Sequence, residues 1–192
     1  MFFCRKHFPW EDYDEWLFGP EGLWKANAEA NSYPDILVIH VGLHTCVHAW
    51  SPGAMNTSML HKHTHDIAIM MSAIHAAVDR VPSHLSRTNV IIQLPGRAGN
   101  TDNRGDACTR SFNRILSFQA HRHGFVVLER EEIERRLLVK SEYYGDHRTM
   151  KPNLHLENPG PNIVGTSLLG LISCLERNGT NNHLAYRPPD VA

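Results

Sequence analysis

The sequence predicts a three-layer α/β/α domain built around a small, mainly parallel sheet. Two short aliphatic runs, residues 35–41 and 88–94, are nearly continuous, which is typical of strands buried on both faces. Longer segments with helical periodicity separate the runs, and strands that alternate with helices imply right-handed crossovers in a parallel sheet. The loops after the strands then share one edge, where such folds place their sites.

The segment before the first predicted strand does not follow this pattern. Residues 1–33 are rich in Trp and Phe but show no clean helical or strand period. We therefore predict short helices and loops that wrap the domain. The predicted organisation is an irregular aromatic-rich segment at 1–33, the α/β domain at 34–178 and a tail at 179–192.

The first strand and the first long helix have clear boundaries. The run 35–41 is bounded by Pro34 and Gly42, and Asn56 can cap a helix that extends to about Arg80. Apolar residues recur along that helix at the spacing of one buried face. They are Ile67, Met70, Met71, Ile74, Ala77 and Val78.

The second half of the predicted sheet repeats this order. The strand at 88–94 stops at Pro95, and a polar loop follows at 96–105. A helix is predicted from Asp106 to the stop at Gly124, and a third, short strand at 125–128. The predicted buried face of this helix consists of Cys108, Phe112, Ile115, Leu116 and Gln119.

Two helices complete the prediction. A charged helix spans 131–139, and the last helix begins at Asn162 and ends at Asn178 and Gly179. The last helix carries an apolar face that we predict to be buried. Its members are Ile163, Leu168, Leu169, Leu171, Ile172 and Leu175.

Composition narrows the functional classes. With 192 residues and 42% hydrophobic content, the chain is long enough for one domain with a sizeable core. The formal net charge of −1, with acidic and basic residues intermixed, predicts no nucleic-acid partner. No apolar run reaches the roughly 18 residues of a membrane span, and no signal peptide is recognised. Four widely spaced cysteines predict no structural zinc.

An ordered series of segments carries a family resemblance. Residues 34–44 join an aliphatic strand to a Gly-Leu-His turn, and 89–95, 113–116, 124–129 and 154–159 follow in order. The series resembles SGNH hydrolases, also called GDSL-like esterases, in the PC-esterase branch that includes carbohydrate O-acetyltransferases and esterases. The resemblance implies an SGNH-like α/β/α fold and an acyl ester or carbohydrate substrate, and that family is often Golgi or secretory. It does not assign this chain a compartment.

The resemblance also implies roles for particular residues. In the family a serine on a Gly-Asp-Ser turn attacks an acyl ester, a histidine is the general base, and positioned donors hold the oxyanion. By resemblance, His155 is the general base, and Gly42 and His44 form the oxyanion side of the site. Trp50 and, in the polar loop, Asp102 and Arg104 are candidate substrate contacts.

Two departures from the family pattern argue against catalysis by this chain. Pro152 stands three residues before His155, where the family has the aspartate that stabilises an imidazolium, with Asp146 or Glu157 as candidate substitutes. No strand and Gly-Asp-Ser turn precede residue 34, so no nucleophile is assigned. We expect a partial or degenerate domain that lacks the first family strand and is inactive as this chain alone. The strand 35–41 should then be a sheet edge that favours self-association.

Two alternatives remain open at this stage. One is that the chain is a non-catalytic carbohydrate- or protein-binding module, with Trp50 and the 96–105 loop as contacts. Alternatively, His61, His63 and His65 bind a metal, because His61 and His65 lie one turn apart on a helix. An exposed polar helix start explains the three histidines better, so we predict no metal and no cofactor.

Overall fold

The computed structural model describes residues 15, 17–19, 22–29, 32–41, 57–85, 87–96, 103–136, 145–146, 151–152 and 160–177. Helices and strands alternate through the central part of the chain, as predicted. In chain order the elements are α1 (Leu23–Glu29), β1 (Ile36–His40), α2 (Thr57–Asp79), β2 (Asn89–Gln93), α3 (Asn103–Arg122), β3 (Val126–Leu128), α4 (Arg130–Arg136), β4 (Gly145–Asp146), β5 (Lys151–Pro152) and α5 (Gly160–Arg177).

The main sheet is parallel and has the order β1-β2-β3. Val38 of β1 lies opposite Ile91 of β2, and Ile91 lies opposite Val126 of β3. This confirms the predicted parallel sheet, and among the described strands β1 is at an edge, as expected. The carboxyl ends of the three strands therefore lie along one side of the sheet.

One face of the sheet packs against α2 and α3. Leu37 and Ile39 point to this face because alternate side chains of a strand project to opposite sides. The six residues predicted for the buried face of α2 all lie here, each at most 6% exposed. Phe112 and Leu116 of α3 are buried in the same cluster, as predicted. Each such side chain contributes roughly 1.5–3 kcal/mol through its burial.

The other face packs against α4 and α5. Ile91 of β2 is fully buried there, and Ile133 of α4 and Leu168 of α5 join it. Partly buried side chains extend this second cluster: Ile36, Val38, Val126, Leu171, Ile172 and Leu175. Helices therefore cover both faces of the sheet, which confirms the predicted three-layer α/β/α architecture.

The ends of α3 differ in how well the sequence predicted them. The helix begins at Asn103, so residues 103–105 of the predicted loop are helical. At the other end, Gly124 has a φ of 69°. Its N–H donates to the His121 carbonyl at 3.0 Å, and the Phe125 N–H donates to the Ala120 carbonyl at 2.9 Å. These two bonds form a Schellman motif and confirm the predicted stop.

The last helix departs from prediction at two points. α5 begins at Gly160, two residues before the predicted start, because Pro161 is well tolerated in a first helical turn. Leu169 was predicted to be buried and is 64% exposed, because it lies about 100° around the helix from Leu168. α4 begins at Arg130, one residue early. None of the helices in the described ranges is long and apolar enough to cross a membrane.

The aromatic N-terminal segment includes a short helix, as predicted, and packs on the first core. Trp24 of α1 is 9% exposed and joins the cluster of α2 and α3. Its ring centroid is 5.6 Å from that of Tyr33 and 6.5 Å from that of Phe18. The segment therefore extends the core by aromatic packing.

Candidate functional site

Two neighbouring strand ends are joined by a side chain at the carboxyl edge of the sheet. His40 and Gln93 are the last residues of β1 and β2 and lie opposite each other. The Nδ1 of His40 donates to the backbone carbonyl of Gln93 at 3.0 Å, because a carbonyl oxygen only accepts. In a neutral ring this tautomer puts the lone pair on Nε2. Sequence reasoning missed His40, although it is the polar residue that ends the aliphatic run.

A buried asparagine joins this edge to two helices. Asn113 of α3 is 8% exposed, and its Nδ2 donates to the carbonyl of Pro95 at 3.0 Å. The same nitrogen lies 3.4 Å from Oε2 of Glu131 in α4. Within the described residues its Oδ1 is buried without a hydrogen-bond partner. Asn113 therefore fixes the backbone after β2 relative to α3 and α4.

Most predicted site residues cannot be compared with this edge. Five of them lie outside the described residues: Gly42, His44, Trp50, Asp102 and His155. Arg104 lies in the first turn of α3 and not in a loop, which corrects its predicted setting. The backbone of α3 thus positions Arg104 just after the segment that follows β2.

The segment that leads toward His155 forms a small ribbon that the sequence did not predict. Gly145 pairs with Pro152, and Asp146 pairs with Lys151, in antiparallel register. Asp146 is one of the two carboxylates considered as substitutes for the aspartate that Pro152 replaces. The ribbon holds the backbone of Asp146 beside Lys151, four residues before His155. Glu157, the other candidate, lies outside the described residues.

The three histidines near the start of α2 have different environments. His61 and His65 are exposed, but His63 is only 8% exposed, and its ring centroid lies 6.0 Å from that of Phe112. The prediction of a uniformly exposed polar start is therefore wrong for His63, which lies on the side of α2 that faces α3. Burial lowers the pKa of His63, nearby Asp66 opposes this by raising it, and Lys62 lowers it further.

The described surroundings of these histidines show no metal-ligand geometry. No group of three or more His, Cys, Asp or Glu side chains could hold a metal ion within the residues that the structure describes. His61 and His65 are one helical turn apart, but two ligands on an exposed face do not make up a tetrahedral site. The geometry of this part of α2 thus gives metal binding no support.

Histidines also cluster at the opposite, amino edge of the sheet, beside the start of β3. The ring centroids of His75 and His123 are 5.2 Å apart, and His123 stacks on Phe125 at 5.8 Å. Nε2 of His75 lies 3.1 Å from Asp79, which also binds Arg87 at 2.8 Å. Burial, then His75 and Arg122, lower the pKa of His123. These contacts link the end of α2 to the segments that precede β2 and β3.

A groove lies along the outer side of α3, and we call it the α3 groove. Its volume is about 910 Å³. One wall consists of side chains of α3, and the other consists of residues at the end of β3 and in the first turn of α4. The residues that line it are Leu94, Arg110, Asn113, Arg114, Ser117, Phe118, His121, Arg122, Glu129, Glu131 and Glu132.

Comparison with known proteins supports the fold through a structural match with low sequence identity. No protein-family model matches the chain, and no curated protein matches it. A solved structure described as LAE5, an alpha/beta hydrolase enzyme from the metagenome of Lake Arreo, Spain, is similar with a TM-score of 0.58. The match has 16% sequence identity and covers 88% of this chain and 69% of that chain. The likeness shows that the chain has an α/β fold.

Proposed function

We propose that this chain is an SGNH-like domain of the PC-esterase branch, related to enzymes that hydrolyse acyl esters or transfer O-acetyl groups on carbohydrates, and that this chain is not itself catalytic. The observation that carries the proposal is the joined carboxyl edge. His40 binds Gln93 across two parallel strands, and Asn113 holds the backbone at Pro95. These segments occur in the family order, and the similarity to a solved alpha/beta hydrolase structure supports only the α/β fold that the proposal requires.

The case against catalysis comes from the residues that acyl transfer requires. A neutral serine hydroxyl needs a base, the base needs an orienting partner, and the oxyanion needs donors. This sequence supplies His155 as the base and Gly42 and His44 as the oxyanion side, but contains no Gly-Asp-Ser. Pro152 replaces the orienting aspartate. The proposed domain keeps one side of a catalytic site without its nucleophile.

Hydrolysis of an aryl acetate tests this proposal. The purified chain and its His155→Ala variant should release p-nitrophenol at the same slow rate, because only the weak reactivity of surface imidazoles contributes. His84→Ala, which changes a histidine outside the proposed site, is the matched control. Turnover that saturates with substrate and is lost in His155→Ala alone would contradict the proposed inactivity.

A second candidate function is a non-catalytic binding module. The α3 groove favours it, because the groove presents charged, polar and aromatic side chains together on a folded surface. Under this proposal the domain retains a role in binding carbohydrate after the loss of acyl chemistry. The groove was not among the contacts proposed from the sequence, which were Trp50, Asp102 and Arg104.

A further inference from the structure

The α3 groove is open to solvent and has a volume in the range of ligand sites. Its volume of about 910 Å³ lies within the range of about 300–1,000 Å³ that is typical of small-molecule sites. It begins near the carboxyl edge, at Leu94 and Asn113, and continues to Arg122 near the end of α3. Arg110 and Arg122 are twelve residues apart, which corresponds to about 18 Å along a helix. An extended chain of several linked rings fits such a length better than a single compact molecule.

Four side chains on the helix wall follow each other at intervals of one turn. Arg110, Arg114, Phe118 and Arg122 are at i, i+4, i+8 and i+12, so they form one slowly winding stripe on the exposed side of α3. The structure gives no ion pair for Arg110 or Arg114 in the part of the chain that it describes. Their guanidinium groups supply several hydrogen-bond donors to the groove.

The opposite wall supplies acceptors. Glu129, Glu131 and Glu132 contribute carboxylate groups to the groove. Asn113 lies 3.4 Å from one oxygen of Glu131 and is itself bound to Pro95, so the carboxylate of Glu131 has a defined position. A positioned acceptor loses little side-chain entropy when a ligand binds to it.

The arrangement of charge selects against highly charged ligands. A polyanion that approaches Arg110 and Arg114 meets three carboxylates on the facing wall, and a polycation meets the arginines. A sugar hydroxyl both donates and accepts, so a neutral polyhydroxylated chain can bind arginine on one wall and glutamate on the other at the same time. The two walls are therefore complementary to a neutral carbohydrate.

An exposed aromatic ring provides the apolar part of such a site. Phe118 is 62% exposed, and the guanidinium carbon of Arg122 lies 5.9 Å from its ring centroid. The cation–π contact restrains the ring on the groove wall. The C–H groups of a pyranose ring pack against an aromatic ring, because that face of the sugar is apolar and the ring is polarisable. Phe118 thus presents an exposed apolar face to the groove.

We propose that the α3 groove binds a neutral oligosaccharide, which stacks on Phe118 and hydrogen-bonds to Arg114 and Glu131. This inference rests on the proposed function, since it assigns the carbohydrate of that function to a particular surface. It places recognition along α3. Binding through the groove requires no serine and no residue of the proposed catalytic remnant.

Calorimetric titration of the full chain with neutral hexasaccharides tests the inference. Cellohexaose, xylohexaose, mannohexaose and chitohexaose are the probes, and at least one should bind. Phe118→Ala should weaken that binding about tenfold or more, because it removes an aromatic contact worth about 1.4 kcal/mol. Leu169→Ala is the matched control, since Leu169 is equally exposed but lies on α5, and it should leave the affinity unchanged.

A second pair of variants tests the arginine side chains on the helix wall of the groove. Arg114→Ala should weaken binding by at least fivefold, whereas Arg80→Ala, which removes an exposed arginine at the end of α2, should not. Absence of binding to all four saccharides, an unchanged affinity in Phe118→Ala, or preferential binding of a heparin hexasaccharide would overturn the inference. The aryl acetate assay does not depend on saccharide binding. Failure of the groove proposal can therefore be distinguished from failure of the proposed function.

Discussion

The carboxyl and amino edges of the sheet both carry polar side chains, but they use them differently. At the carboxyl edge, His40 and Asn113 bind backbone carbonyls at or just after the end of β2, so they fix the position of the backbone there. At the amino edge, the carboxylate of Asp79 binds both His75 and Arg87, and the hydroxyl of Thr88 donates to the Pro34 carbonyl at 2.7 Å. A side chain thus holds a backbone carbonyl at both edges, but the amino edge adds half-exposed ion pairs, whereas at the carboxyl edge the buried amide of Asn113 also contacts Glu131 of α4. The edges therefore differ in burial, so the buried amide of Asn113 should cost more stability to remove than the half-exposed ion pairs.

The largest effect should come from the buried anchor of the carboxyl edge. Asn113→Leu removes the hydrogen bond to Pro95 and leaves the carbonyl and Glu131 without this partner. We expect the free energy of unfolding to fall by about 2 kcal/mol, as for other buried hydrogen bonds whose partner stays unsatisfied. Urea denaturation monitored by circular dichroism measures this. A variant as stable as the parent would remove the structural basis for the contrast between the edges.

Acidification should lower the stability of the folded protein through His63, which is buried between α2 and α3. Burial lowers the pKa of His63, so the unfolded chain takes up a proton at a higher pH than the folded chain does. Stability is therefore fully present above the ordinary pKa of histidine, about 6.5, and is lost as the pH falls from there through the lowered folded pKa. The His63→Leu variant should lack the part of the acid-induced loss of stability that protonation of this histidine causes.

Urea midpoints at pH 7.5 and pH 5 for parent and variant measure the effect of His63. His123→Leu is the comparison at the amino edge, where burial also lowers the pKa but the side chain is only partly buried, so it should reduce the pH dependence less. Equal pH dependence in the parent and in His63→Leu would show that this histidine does not contribute.

The smallest effect should come from the ion pairs of the amino edge. Asp79→Asn weakens the contacts to His75 and Arg87, but the side chain of Asp79 is 48% exposed. Such pairs typically contribute about 0.2–1 kcal/mol, so the loss should stay below about 1 kcal/mol and decrease further in high salt. Denaturation at low and high salt checks this. A loss that matches that of Asn113→Leu would contradict the distinction between the two edges.

The sequence predicted the central strands and the long helix well because burial on both sides leaves a strong pattern. Continuous aliphatic runs correspond to β1 and β2, and the apolar period of α2 corresponds to its buried side chains. Helix starts were less accurate, as at Asn103 and Gly160, since capping signals are short and residue types compete there. The pair β4–β5 has two residues per strand, too few for any period.

The candidate site was harder to predict because its contacts join distant segments. The bond from His40 to Gln93 depends on strand register, and Asn113 contacts carbonyl and carboxylate groups that lie eighteen residues away in both directions. Burial of His63 depends on the position of α3, which the period of α2 alone does not specify. The stripe from Arg110 to Arg122 is visible in the sequence, but its facing glutamates belong to another segment.

Labelling with a fluorophosphonate, followed by intact mass measurement, tests the central claim most directly. A fluorophosphonate reacts with an activated serine and hardly at all with an ordinary hydroxyl. A domain that retains the His155 segment without a nucleophile should remain unmodified under conditions that fully label a known serine esterase. A single stoichiometric adduct on one serine, lost in the His155→Ala variant, would contradict the account and establish an intact catalytic site.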